Sequence, residues 1–396
     1  MKLFLASSLV VSSLFSAEVV EVQKRFESSQ KCKVCHRRIV EEWSKSWHAK
    51  SHFENDEYFR KTLEYVSRKT RKSLNAVKVQ CATCHNPRIS VTKTDIDYEI
   101  AAVMGLTSDD DPVNKAVNSK AISEGINCVV CHNIDKIHDE YDKSKRGINR
   151  VEWTPSGVMT GPYKDAKSPY HKVVSHEFMN TNPNKLCFVC HANDRSVYGL
   201  VFTDMESEYI GKKTCVSCHM GPKHKDVAAT FKMYNGKAKM RMVRKHGFVG
   251  AHTPSLWKDA LELELKRQKD KLLIKIKNPQ PHNIPSGFGS REILVEVVYK
   301  KGSTTVGQKT LSLTRHYIRR HKKVGIAHLA VKQSKDTSIK AHGEKIVRLP
   351  LVNGAESVEV TLYYRLVNDE VRTLLDLKEQ IWSKKNFIVK SSLDLR

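Results

Sequence analysis

Beyond Cys218 this chain of 396 residues has no cysteine, and up to that point none stands outside one recurring pentapeptide. The ten cysteines make five Cys-x-x-Cys-His motifs: CKVCH from Cys32, CATCH from Cys81, CVVCH from Cys128, CFVCH from Cys187 and CVSCH from Cys215. Redox dithiol pairs are disfavoured, because they carry no obligatory histidine and do not recur five times. Structural zinc would want Cys-x-x-Cys modules in complementary sets, without a fixed histidine after each one. Acidic residues are scarce, 43 against 68 lysines and arginines, which leaves a formal net charge of +25. Apolar residues make up 40% of the chain, and after the N-terminus no run approaches the ~20 residues that span a bilayer. Between the motifs there is too little periodic apolar sequence to build an ordinary core.

What is present explains how such a chain could fold. Composition alone would produce on the order of 0.01 such pentapeptides by chance, so five are a signal. Two thiols three residues apart can add to the vinyl groups along one edge of a protoporphyrin, and the adjacent histidine then falls beneath the iron. The motifs therefore predict five covalently attached c-type haems. Cys32, Cys35, Cys81, Cys84, Cys128, Cys131, Cys187, Cys190, Cys215 and Cys218 would carry the thioethers. His36, His85, His132, His191 and His219 would be the proximal iron ligands. The porphyrins would supply the missing apolar mass, with the polypeptide wrapped around close-packed haems and poorly folded without them.

The N-terminus, MKLFLASSLVVSSLFSAE, reads as a secretory signal peptide over residues 1–17, with an uncleaved anchor as the alternative because bulky Phe15 sits near the cleavage point. Haem attachment of this kind takes place outside the cytoplasmic membrane, so a bacterial periplasm is the expected location. The motifs are spaced by roughly fifty to sixty residues and finally by under thirty, too irregular for a solenoid. Residues 18–256 are read as a pentahaem domain of helix and coil. Residues 257–396 change character: ALELELK, LLIKIK, REILVEVVYK, TTVGQKTLSL, EKIVRLPL and SVEVTLYYRLV alternate with period two. They predict an antiparallel β-sandwich-like domain, with one helix in DEVRTLLDLKEQIWSKK and an edge strand in NFIVKSSLDLR. The fold class is α+β with two domains.

The sixth iron ligand decides function: a second histidine makes a low-potential carrier, methionine raises the potential, and an open position permits substrate chemistry. Eighteen histidines, five of them in motifs, leave thirteen. The first candidates are His48, with His52 one turn further along an expected helix, then His171, His246, His252 and His282. His52, His138, His176 and His224 are secondary candidates. His316, His321, His328 and His342 lie among lysines and arginines and read as surface residues. Met159 and Met179 are possible ligands, and Met220 is badly placed for its own haem. His282 stands between Pro281 and Pro285, before Gly287, in a rigid turn suited to presenting one side chain to a neighbouring domain.

The segment Trp43, Ser46, His48, Ala49 resembles the multihaem cytochromes related to cytochrome c-554. So do CHNP after Cys81, EGINCVVCHNI, GPY leading to His171, and CHM at the last motif. HGFVGAH followed by PHNIPSG and a strand-rich tail is similar to members of that group with a C-terminal β-domain. The resemblance implies bis-histidine ligation at most sites and electron transfer in respiratory metabolism. Cytochrome c-554 itself carries four haems and no appended domain, so haem order and ligand pairing do not transfer.

Two functions follow. The first is a periplasmic electron carrier with haem-to-haem hopping, its positive surface steering it to redox partners with acidic docking surfaces. The second is an oxidoreductase acting on a small nitrogen or sulfur compound at one open haem, a reading weakened by five unvaried motifs. Nucleic acid is the reflex partner for such a charge but does not fit the compartment; weak association with anionic lipid headgroups does.

Overall fold

The computed structural model describes residues 28–139, 146–231, 238–320 and 322–396. The expected signal peptide and His321 lie outside them. Helices in the first part start at side-chain caps: Asp56 accepts from Phe59 N at 3.0 Å, Ser73 from Ala76 N at 3.2 Å and Asp95 from Tyr98 N at 2.8 Å. The helix Glu57–Thr70 turns Phe59, Leu63 and Val66 inward, and Leu74–His85 turns Ala76, Val77, Val79 and Ala82 inward. Ile89, Val91, Val113, Val117 and Ile122 complete this cluster. Residues 53–122 thus possess an apolar core, more than the sparse periodicity led us to expect. From Cys128 to Val243 the described residues form short helices and coil, as expected, and also two-stranded ladders, which were not.

After Trp257 the period-two segments form antiparallel sheets. Lys271–Lys277 pairs with both Glu262–Gln268 and Glu344–Pro350. A second sheet runs in the order Thr304–Leu313, Glu292–Lys301, Ser357–Arg365, Asn386–Asp394. Alternate residues point into one shared cluster: Leu272, Ile274 and Ile276 from the first sheet, Ile293, Val295, Val297, Val360, Leu362 and Ile388 from the second. Burying each such side chain stabilises by about 1.5–3 kcal/mol. The cluster is continuous with that of residues 53–122, so the two domains share one core.

One expectation needs correction. The predicted C-terminal helix spans only Asp369–Leu375, because Asp376 turns left-handed at φ +54. The backbone beyond it is captured instead: Glu57 accepts from Lys378 N and Glu379 N at 2.9 Å each and from Trp382 Nε1 at 2.7 Å. The tail is the edge strand expected, but a long one, Asn386–Asp394.

Glu57 therefore ties the haem-region helix to the β-domain. Burial alone would push its carboxyl up, but the three donors hold it below the usual value of 4.5. A depressed carboxyl stabilises the fold above pH 4.5, and that contribution is lost as pH falls through its folded value. Glu57→Ala should cost about 3 kcal/mol, since one buried and two partly buried donors lose their acceptor. Glu57→Gln should cost less and flatten the acid limb of stability below pH 4.5, read as denaturant midpoints across pH.

Candidate haem-ligand site

Four motifs close a helix on their histidine: Leu74–His85, Cys128–His132, Asn184–His191 and Cys215–His219. In the first motif the helix Gln30–Ser44 continues, but its backbone breaks at His36 (φ −109°, ψ 37°). Residues i and i+3 share a helix face, so both thiols of each motif lie on one side and the histidine follows at the helix end.

The imidazoles are held through Nδ1. His36 donates to Ala228 O at 2.7 Å, His132 to Thr160 O at 2.7 Å and His219 to Val249 O at 2.6 Å. His171, His246 and His282 do the same to Lys172 O (3.3 Å), Arg244 O (3.1 Å) and Asn283 O (3.0 Å). A carbonyl can only accept, so Nδ1 carries the proton and Nε2 keeps its lone pair, the tautomer a metal needs. Burial pushes His48 down to about 3 and His191 and His246 to about 4, and lowers His132 and His282 as well.

Three motif histidines are faced by a second imidazole. Ring centroids are 6.3 Å apart for His48 and His191, 6.4 Å for His132 and His246, and 6.3 Å for His219 and His282. Two metal–imidazole bonds of about 2.0 Å, each followed by about 1.1 Å to the ring centre, put trans ligands roughly 6.2 Å apart. The residues fit an iron between each pair. His36 and His171 both lie close enough for their charge to act on His132, which brings a fourth pair to one neighbourhood. His328, expected at the surface, is instead enclosed: Phe202 lies 4.8 Å and Phe288 6.1 Å from its ring, and its Nδ1 is buried without a partner. The charge of His85 acts on it first among its neighbours. Sequence reasoning missed it because lysines and arginines flank it in the chain, while the 3-10 turn Ala327–Leu329 buries Ala327 and Leu329 on either side.

The loop carrying His48 shows how local sequence builds such a site. The helix ends at Ser44, so His48 and His52 lie in turns rather than one turn apart on a helix face. Trp43 Nε1 donates to Ile126 O at 2.8 Å, Ile126 N to His48 O at 3.0 Å, and Ser51 Oγ to His85 O at 2.7 Å. Glu42 accepts from His246 N at 2.8 Å, placing a second ligand candidate from the same helix.

Other candidates are engaged elsewhere. His52 packs on Phe53 at 4.0 Å and accepts from Glu54 N. His138 stands 2.8 Å from Glu152, His176 3.1 Å from Asp135, and His224 3.8 Å from Asp226. His252 stacks on Trp47 at 3.7 Å, edge-on to Trp382. Cys32 lies beside Cys128, Cys84 beside Cys190, and Cys187 beside Cys215, so motifs meet in pairs. Among the described residues no three His, Cys, Asp or Glu side chains form a site for a bare metal ion; a haem iron takes only two such ligands.

One solved structure shares this fold over nearly the whole chain. The particular match is the penta-heme cytochrome c552 from Thermochromatium tepidum, with a TM-score of 0.68, 19% identity, and 93% of this chain and 98% of that chain covered. A superoxide reductase in the oxidised state aligns over 35% of this chain and 89% of its own, at 8% identity and a TM-score of 0.18, too low for a common fold. No protein-family model matches the sequence, and no curated protein matches it significantly. The resemblance to cytochrome c-554 therefore stands on its motifs alone.

Gly125 has φ +61, and a Cβ there would meet His48 O at 2.7 Å and collide with Ser51 Oγ. Gly125→Ala should destabilise by more than about 1 kcal/mol and displace the His48 loop, read as a lower melting temperature and a change at one haem.

Proposed function

We propose that this protein is a periplasmic pentahaem c-type cytochrome that carries electrons between respiratory redox partners. The observation that carries the reading is the set of three motif histidines, each opposed by a second imidazole at 6.3–6.4 Å. The ten motif cysteines hold the haems, and the haem irons supply one-electron chemistry when bound. The chain's own carbonyls fix the tautomer of His36, His132, His219, His171, His246 and His282, and its packing excludes water and sets the spacing. His48 serves the His191 site, His246 the His132 site, His282 the His219 site and His171 the His36 site; to His85 we assign His328.

Motif contacts suggest the route. Cys32 meets Cys128, and Cys131 lies near both Cys187 and Cys190. Cys190 meets Cys84 and Cys187 meets Cys215. The order is then the His36 site, the His132 site and the His191 site, with the His85 and His219 sites branching from the last. Residues 18–256 form the haem domain, and residues 257–396 the β-domain that contributes His282 and His328.

The second reading, an oxidoreductase for a small nitrogen or sulfur compound, is favoured by one observation. Phe288 lies 6.4 Å from His85, with Tyr58 beyond it at 6.1 Å. That reading leaves the His85 site open.

EPR of the oxidised holoprotein separates them. Five low-spin ferric signals support the carrier, and one high-spin signal that shifts on adding nitrite or cyanide supports the oxidoreductase. His282→Ala and His328→Ala should each add one high-spin haem, whereas His252→Ala should not; an unchanged spectrum in His282→Ala removes it from ligation.

With a formal charge of +25, association with an acidic redox partner should weaken as salt rises, because exposed charges are screened beyond about 8–10 Å. Stopped-flow rates that stay flat from low to high ionic strength would argue against electrostatic docking.

A further inference from the structure

Arg291 stands immediately before the strand Glu292–Lys301, just past the turn that carries His282. Its Nη1 donates to Ser286 O at 3.0 Å, and the guanidinium lies 5.7 Å over the Phe288 ring. Gly287, at φ +73, passes so close that a Cβ there would meet Nη1 at 2.9 Å, so the turn is shaped around the arginine. The side chain is half-buried, and among the described residues no carboxylate lies within ion-pair distance of it. Two buried arginines of the same domain are each neutralised: Arg315 by Glu208 and Asp336, and Arg365 by Glu292 and Asp369. A guanidinium does not shed its proton, and removing it from water without a counter-charge is costly.

Its surroundings indicate where a counter-charge would come from. Phe288, under the guanidinium, lies 6.4 Å from His85 and 6.1 Å from His328. Tyr58 donates or accepts at 3.0 Å with Ser290 Oγ, the adjacent residue. The charge of Arg291 also acts on the rings of His191, His252 and His282. Histidines assigned to three haem sites thus surround one cation that lacks an anion.

We propose that Arg291 is an anion-binding residue whose planar fork pairs with a carboxylate or small oxyanion lodged between the two domains. The anion is either a haem propionate or a free oxyanion from solution. The proposal rests on the haem reading above, and haem counting separates the two: a wild-type protein without five haems overturns that reading. A five-haem wild type indistinguishable from its Arg291 variants overturns only this proposal.

The test uses holoprotein carrying Arg291→Gln and Arg291→Lys. If a propionate is the partner, spectropotentiometric titration of R291Q should move one haem to a more negative midpoint. We expect roughly a tenfold change in its reduction equilibrium, about 59 mV for one electron. R291K should recover most of it, and added nitrite should change nothing. If the partner is a free oxyanion, nitrite should perturb the oxidised wild-type spectrum saturably. R291Q should then bind it at least tenfold more weakly, with midpoints unchanged when nitrite is absent. Unaltered midpoints together with an unaltered nitrite response in R291Q overturn the proposal. Should R291Q fail to hold five haems, Arg291→Met carries the test, because it also removes the charge while keeping a long side chain; wild-type midpoints and a wild-type nitrite response in R291M then overturn the proposal.

Discussion

Two imidazoles drawn from distant parts of a chain must stand about 6 Å apart across a common gap if one iron is to join them, and the rest of this molecule answers to that requirement. Neither ring can be left to find its place. Each needs a neutral Nε2, hence a proton parked on Nδ1, hence a backbone carbonyl at a fixed position. The carbonyls of Ala228, Thr160 and Val249 meet it for three motif histidines, and those of Arg244 and Asn283 for two opposing ones. Long sequence separations follow: His36 is held by a residue 192 positions away. Such contacts need a scaffold that does not drift.

The β-domain supplies much of that scaffold. It shares an apolar cluster with residues 53–122, and the Glu57 carboxylate grips Lys378, Glu379 and Trp382 across the junction. A junction of that kind behaves as an interior rather than a hinge, because separating it would expose apolar surface and strand three donors. On the proposed reading this rigidity is functional, since His282 and His328 belong to one domain and their motif partners to the other.

Much of this was legible in sequence, and the exceptions have physical reasons. Cysteine spacing is a local property, and it located the five motifs, though not the helices that four of them close. Period-two alternation located the strands, because Leu272, Ile274 and Ile276 must all face one way. The turn around His282 was legible because two prolines and a glycine restrict it. His328 was not, since its enclosure depends on Phe202 and Phe288, 126 and 40 positions away respectively, and its charged neighbours suggest a surface. The overlong helix after Asn368 failed for a similar reason: DEVRTLLDLKEQ has good helical propensity, but a carboxylate 321 positions upstream claims the backbone of Lys378. Local signals state what a segment prefers, and distant partners decide whether it is allowed to do it.

The same distinction explains the charge of the molecule. The ion pairs that surface lysines and arginines make are shallow and add little stability; the value of these residues is the field they make together. Arg291 differs because it sits where the two domains meet, held by a carbonyl and an aromatic face and lacking an acid. Folding alone does not favour such a residue, as the neutralised Arg315 and Arg365 show by contrast. A half-buried cation without an acidic partner among the described residues is best understood as complementary to something the chain binds. An anion delivered with a haem, or drawn to one, would complete the interface and set the local potential in a single contact.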